Sequence, residues 1–263
     1  MSIVRGLSMA EETHTTLIVE TPPDHSYNDP MIESHEQRFN SYLLSLYATD
    51  PFANVRAVSE AHRIEHAAAL SGGEQECGVY PSDALKMRVL TTIVNAVAAT
   101  RVLEIGGGFG YSALWFAETV GKGGAVETID RFPEHILAIE RHAKQFGLEG
   151  RIAALYGEGD DILRGLSGPY DVIHDDGWFG AQPAYYDRLA DLLRPRGLLI
   201  MSNWFLLEHA VAGESPIDWS QFAGPTWADD IQAYALRLVN DERYDVSFIQ
   251  RPAMALAYRR DDV

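Results

Sequence analysis

The chain has a single cysteine, Cys77, among its 263 residues. No disulfide can close within one copy, so an oxidising compartment is not indicated. Positive charge is also in short supply. Lysine and arginine together number 21 against 38 aspartates and glutamates, a formal charge of -17 that repels nucleic-acid backbones and anionic lipid heads. No stretch approaches the roughly 18 uninterrupted apolar residues of a membrane span. The first residues carry Glu11, Glu12, Pro22, Pro23 and Asp24 where a secretory leader would have an apolar core. These absences lead to the expectation of a cytoplasmic protein with neither nucleic acid nor membrane as partner. What is present is ordinary: 46% hydrophobic and 22% charged residues suit a packed core, and the length suits one large α/β domain or two small ones.

Residues 1–30 are polar and aperiodic and are expected to form an N-terminal arm. Residues 31–263 are expected to be a single domain whose first part, 31–80, is a helical cap. Within that cap Phe39, Tyr42, Leu43 and Leu46 recur at helical spacing, and a second helical stretch covers Val55 to Ala68. After a loop at Ser71-Gly72-Gly73-Glu74, Ser82 is expected to cap a helix with Leu85, Val89, Leu90, Ile93, Val94 and Val97 on its apolar face. From there short apolar runs alternate with helical patterns, which points to a parallel sheet with crossover helices. The runs are Val102–Ile105, Ala125–Asp130, Ile152–Tyr156, Tyr170–His174 and Leu198–Met201, and Tyr244–Ile249 and Ala253–Tyr258 form an antiparallel pair at the end.

The first strand runs through Glu104 into Gly106-Gly107-Gly108-Phe109-Gly110 and then, at Tyr111-Ser112, into a helix. Such glycines let the backbone turn sharply and approach a ligand at a helix N-terminus. The spacing is G-x-G-x-G, and Tyr111 occupies the place of the third glycine in the dinucleotide fingerprint, which argues against a nicotinamide cofactor. Asp130 ends the second strand, where an acid can accept hydrogen bonds from ribose hydroxyls; capping the next helix is its bland alternative. The third strand leads to Gly157-Glu158-Gly159-Asp160, and the fourth delivers His174, Asp175 and Asp176 to the edge where ligands bind in open α/β sheets.

The segment from Arg101 to Ser112 resembles the first motif of the catechol and caffeoyl-CoA O-methyltransferase family, and the similarity continues through Asp130, Gly157–Gly159, Tyr170–Asp176 and Leu193–Leu198. Val79-Tyr80-Pro81-Ser82 is similar to the segment that covers the methionine part of the cofactor. The resemblance implies a Rossmann-like α/β methyltransferase fold: a seven-stranded, mostly parallel sheet in the order 3-2-1-4-5-7-6, with helices on both faces and extra N-terminal helices. It implies S-adenosyl-L-methionine as cofactor. Carried over by position, Val79, Glu104, Gly106, Gly108, Tyr111 and Ser112 surround its methionine end. Asp130 with Arg131 falls on the ribose, Gly159 and Asp160 on the adenine, and Asp176 beside the reacting centre.

The family also uses a divalent cation held by an aspartate after strand four and an Asp-Asn pair after strand five. Here the aspartate is Asp176 but the pair reads Ser202-Asn203, and the family's lysine after strand four is Phe179. One carboxylate should hold Mg²⁺ poorly, so weak or no metal dependence is expected. Alternation places His174 on the side of Asp176, as a general base or as a satisfied core histidine. Trp178, Phe179, Asn203, Trp204 and Phe205 flank the expected acceptor pocket, as aromatic stacking partners or as packing. The function expected is methyl transfer to oxygen of a small aromatic or apolar acceptor. The alternatives are N- or C-methylation and a non-catalytic S-adenosylmethionine sensor or scaffold. A homodimer is left open.

Overall fold

The computed structural model describes residues 35–47, 49–70, 79–178, 182–215, 217–220 and 224–261. The arm at 1–30, the loop at 71–74, Cys77 and Phe179 lie outside the described residues. By its contacts the chain divides into Met1–Ser41 and Tyr42–Val263. Helix α1 (His35–Ser45) confirms the helical spacing, although Phe39 and Tyr42 on it and Leu46 just after it are exposed. Helices α2 (Ala53–Leu70) and α3 (Ala84–Ala96) precede the sheet.

The sheet follows the expected alternation. Its elements are β1 (Arg101–Ile105), α4 (Tyr111–Val120), β2 (Ala125–Asp130), α5 (Pro133–Gln145), β3 (Ile152–Tyr156), α6 (Gly159–Gly165), β4 (Tyr170–Asp175), α7 (Gln182–Leu192), β5 (Leu193–Met201), α8 (Phe205–Ala212), α9 (Trp227–Val239), β6 (Tyr244–Ile249) and β7 (Met254–Arg259). The strand order is β3-β2-β1-β4-β5-β7-β6, with β7 antiparallel to both neighbours and the other pairings parallel. Central strands covered on both sides must be apolar on both faces. Val102 and Val172 pack on one face with Met87, Leu90, Leu114 and Phe116, while Leu103 and Ile173 pack on the other with Tyr186, Leu189 and Leu238. Each such side chain contributes about 1.5–3 kcal/mol by leaving water. Among the described residues no helix is long and apolar enough to cross a membrane.

Three local expectations are corrected. Asp83, not Ser82, caps α3, its carboxylate accepting from the Lys86 amide at 2.8 Å. The buried stripe of α3 is Ala84, Met87, Leu90, Thr91 and Val94, so the helix is rotated from the face read through Leu85 and Val89. Helix α8 was not anticipated: Trp204-Phe205-Leu206-Leu207 reads as an apolar run, and no side-chain cap marks its start.

Candidate active site

The end of β1 is fastened on both sides before the chain turns. Gly106 and Gly107 amides donate to the Ile129 carbonyl at 2.9 and 3.1 Å, and the Asp176 amide donates to the Ile105 carbonyl at 2.9 Å. Gly106, Gly108 and Gly110 then take φ of 89°, 51° and 87°, the left-handed region open to glycine at little cost. Gly110 offers no side-chain cap to α4, so the first amides of that helix face outward as donors. Val79 roofs this loop: a methyl group on Gly108 would meet its Cγ1 at 3.4 Å. Ser112 is buried beside it. Tyr111 turns away from the loop, its hydroxyl donating to Asp50 at 2.8 Å, and burial drives its pKa well above the ordinary phenol range. The Tyr111 side chain therefore anchors the α2 region and leaves only its backbone for a ligand.

Asp130 closes the other wall. Its Oδ2 accepts from the Gly108 amide at 2.8 Å, and its Oδ1 faces the Phe132 amide at 3.0 Å and His135 Nδ1 at 2.9 Å. One oxygen thus organises the start of α5, as the bland reading expects, and the other holds the glycine loop. Arg131 is exposed, its guanidinium over the Phe132 ring at 4.9 Å. Gly159 opens α6 facing Ile105, 3.4 Å from where its methyl would sit, while Asp160 points outward and pairs with Arg164. These residues share the C-terminal edge of β1, β2 and β3 with the loop.

Below that edge runs a buried polar row that the strand register explains. Thr128, Glu104 and His174 are direct neighbours across β2, β1 and β4. Thr128 donates to Glu104 Oε2 at 2.7 Å, Glu104 Oε1 lies 3.3 Å from His174 Nδ1, and His174 Nε2 lies 3.1 Å from Ser202 Oγ. All four side chains are buried. Low local dielectric makes such a row costly unless every member is paired, and here each is. Glu104 is therefore a strut under the glycine loop, and His174 has both ring nitrogens engaged. The Ser202 hydroxyl on its Nε2 side is buried as well.

Asp176 stands at the mouth of this row. Its carboxylate oxygens are each 3.3 Å from Lys86 Nζ, with side chains 16% and 14% exposed. Burial works against its charge, but the Lys86 ammonium, His174 and hydrogen bonds from Lys86 and Ser202 prevail and hold the carboxyl below its ordinary range. Asn203, at φ 69°, spends its amide on the Gly177 carbonyl at 3.3 Å. Neighbouring Asp175 points to the opposite face, where burial pushes it up to about 7 against the opposing pull of the Gly177 amide, the Tyr185 hydroxyl and His174.

Of the aromatic residues expected around an acceptor, Trp178 is 46% exposed beside Asp176. Trp204 is not at the pocket: it is buried in the core, stacked on Tyr234 at 5.7 Å and edge-on to Phe248 at 4.9 Å. Phe205 packs on Trp219. Lys86 and His135 escaped the sequence reading. His135 follows Asp130 by five residues, a spacing that puts it on the first turn of α5. Lys86 gave no signal, because its place depends on the rotation of α3.

A seven-stranded sheet in this order, with a glycine loop after its first strand and acids closing the same edge, defines the class I methyltransferase fold. The sequence matches the O-methyltransferase family profile over residues 76–259, and the chain belongs to that family. Among its relatives, catechol O-methyltransferase from Niastella koreensis is 28% identical over 120 residues, 44% of this chain and 54% of that protein. A putative O-methyltransferase from Mycobacterium sp. (strain JLS) is 29% identical over 166 residues, 59% of this chain and 68% of that protein. The chain spans about half the length of the catechol O-methyltransferases it matches. In fold it is similar to an S-adenosylhomocysteine-bound methyltransferase from Podospora anserina, with a TM-score of 0.71, 21% identity and coverage of 88% of this chain and 99% of that one. A putative caffeoyl-CoA O-methyltransferase from Staphylococcus aureus gives 0.70 and 18%, covering 84% and 99%.

Proposed function

We propose that this chain transfers a methyl group from S-adenosylmethionine to an oxygen of a small aromatic or apolar acceptor. The observation that carries the reading is the convergence of the Gly106–Gly110 loop, Asp130 and Asp176 on one edge of the sheet, in a chain that belongs to the O-methyltransferase family. The cofactor would supply an electrophilic methyl group on a sulfonium. The protein supplies alignment, which for an in-line displacement is the greater part of the task. The glycine backbone permits close approach, Val79 covers the methionine end, and Gly159 leaves space for a flat ring. Incubating the protein with S-adenosylmethionine and a panel of phenols, with amines in parallel, is expected to yield S-adenosylhomocysteine with the phenols. Turnover with amines alone would reassign the attacked atom, and no turnover with any acceptor would favour a sensor or scaffold.

Asp130 provides the sharper test of the cofactor. A carboxylate has about four acceptor sites, and three are already taken by Gly108, Phe132 and His135, so one on Oδ2 is left for a ribose hydroxyl. Asp130→Ala removes one charge-assisted bond of about 1.5–3 kcal/mol, which corresponds to a 10- to 150-fold loss of affinity. Calorimetric titration with S-adenosylhomocysteine measures it, and an unchanged affinity would refute the ribose assignment.

The divalent cation of the family is a poor fit. Asp176 already carries an ammonium, the Ser202 hydroxyl is engaged by His174, and Asn203 can offer only a neutral amide oxygen. A dication would need a second anionic oxygen and would have to displace Lys86. No step is therefore assigned to a metal.

A further inference from the structure

We propose that Lys86 is the cation of the acceptor site: its ammonium binds the acceptor as a single oxyanion, a phenolate-type oxygen, beside Asp176. This rests on the methyltransferase reading above. The chain has three lysines, Lys86, Lys122 and Lys144, and the other two are exposed. Lys86 alone is drawn inward, from α3 to the end of β4, 90 residues away in sequence. Both ends of this contact belong to the glycine loop's surroundings. A methyl on Gly106 would sit 2.7 Å from the Asp176 carbonyl oxygen, and α3 begins five residues after Val79, whose Cγ1 would meet a methyl on Gly108 at 3.4 Å. The ammonium thus sits at the sheet edge against Asp176, with exposed Trp178 two residues beyond it.

The geometry of the pair leaves the lysine unfinished. An ammonium has three N–H donors, and the symmetric 3.3 Å approach to both Asp176 oxygens engages two at most. Lysine is a compact point charge that accepts a further oxygen from any open side, where arginine would demand a planar pair. The charges also balance. Asp176 and an acceptor oxyanion bring two negative charges, and the Lys86 ammonium with the cofactor's sulfonium brings two positive ones, whereas a dication in place of Lys86 would leave an excess. An anionic acceptor oxygen then enters with a donor waiting. The acceptor's proton has left to solvent. Its oxygen lone pair forms the bond to the methyl carbon as the carbon–sulfur bond breaks, and that electron pair stays on sulfur, giving a neutral thioether and a neutral ether. Lys86 loses no proton in this step. It stabilises the anion before attack and releases the neutral product.

The test uses the full chain saturated with S-adenosylhomocysteine and 4-nitrophenol as probe, whose anion absorbs visible light. At a pH equal to the free phenol's pKa, the anion-to-phenol ratio is expected to rise by up to about tenfold on binding, because Lys86 favours the anion while the Asp176 carboxylate opposes it. Lys86→Met is expected to abolish the rise while S-adenosylhomocysteine binding by calorimetry is retained, and Lys86→Arg to keep part of it. The wild-type signal is expected to survive chelation. A wild-type protein that binds S-adenosylhomocysteine without raising the ratio overturns the proposal, as does a Lys86→Met protein that keeps the rise or a wild-type signal that vanishes on chelation and returns with Mg²⁺. Should Lys86→Met not fold, the wild-type ratio and its response to chelation still decide. Failure of the wild type to bind S-adenosylhomocysteine at all would count against the methyltransferase reading, a separate result.

Discussion

Replacing Gly106 with alanine is expected to cost the protein both stability and cofactor binding. At φ 89° an alanine is strained by about 1–2 kcal/mol. Its methyl would also fall 2.7 Å from the Asp176 carbonyl oxygen, 2.9 Å from the carbon that bears it and 3.1 Å from the Gly177 nitrogen. These are backbone atoms, and they cannot step aside. The Asp176 amide is tied to Ile105, and Gly106 itself is tied to Ile129. Overpacking adds about 1–3 kcal/mol. Relieving the clash would displace the glycine-loop backbone that a cofactor has to approach, so binding suffers as well. Urea denaturation and S-adenosylhomocysteine titration measure the two losses. Gly150→Ala, where a methyl meets nothing within 4 Å, serves as the control and is expected to change little. A Gly106→Ala protein matching that control would show that the loop can relax in a way this geometry does not allow.

The second large effect concerns Asp175 and depends on pH. Its side chain is fully buried, Oδ1 is satisfied by Gly177 and Tyr185, and Oδ2 has no hydrogen-bond partner. Burial raises its pKa from 3.8 to about 7. Between those values the folded protein holds a proton that the unfolded chain has released. The unfolded state thus binds fewer protons, and stability falls as pH rises. The contribution is fully present below about pH 4 and is lost by the time pH has passed 7. At about 1.36 kcal/mol per pKa unit the loss is at most about 4.4 kcal/mol. Asp175→Asn keeps the Oδ1 acceptor and removes the charge. It is expected to be as stable as the wild type near pH 4 and more stable by a few kcal/mol above pH 8. Urea midpoints at the two pH values check this. An equal difference at both would mean that Asp175 is not the group that titrates.

Much of the scaffold was legible in the residues. The strands at Ala125–Asp130, Ile152–Tyr156 and Tyr244–Ile249 fall at the expected bounds, because apolar runs punctuated by glycine and acids leave few other local solutions. The loop after β1 was legible for the same reason: three glycines at alternate positions have little use outside a left-handed turn. Helix α8 was not, since Trp204 to Leu207 carries no cap and no clear period. Trp204 was read as a pocket residue because it adjoins Asn203. One residue on, the chain has entered α8 and aims the indole at Tyr234 and Phe248.

The site divides along the same line. Strand ends and loop residues such as Gly106, Asp130 and Asp176 keep their place at the sheet edge whatever packs around them, because hydrogen-bonded register fixes them. The sequence by itself determined that edge, the glycine turn and the missing carboxylate at Ser202. Tertiary structure decided which partners the edge residues found. His174 became the middle of a buried row because β1, β2, β4 and β5 align Thr128, Glu104, His174 and Ser202. Lys86 reached Asp176 because Met87 and Leu90 bury the face of α3 next to it, setting the rotation of a helix that the apolar pattern alone placed differently. A strand's side chains have two directions to choose between, and alternation reveals the choice. A helix can rotate through many, and only the surface it packs against selects one.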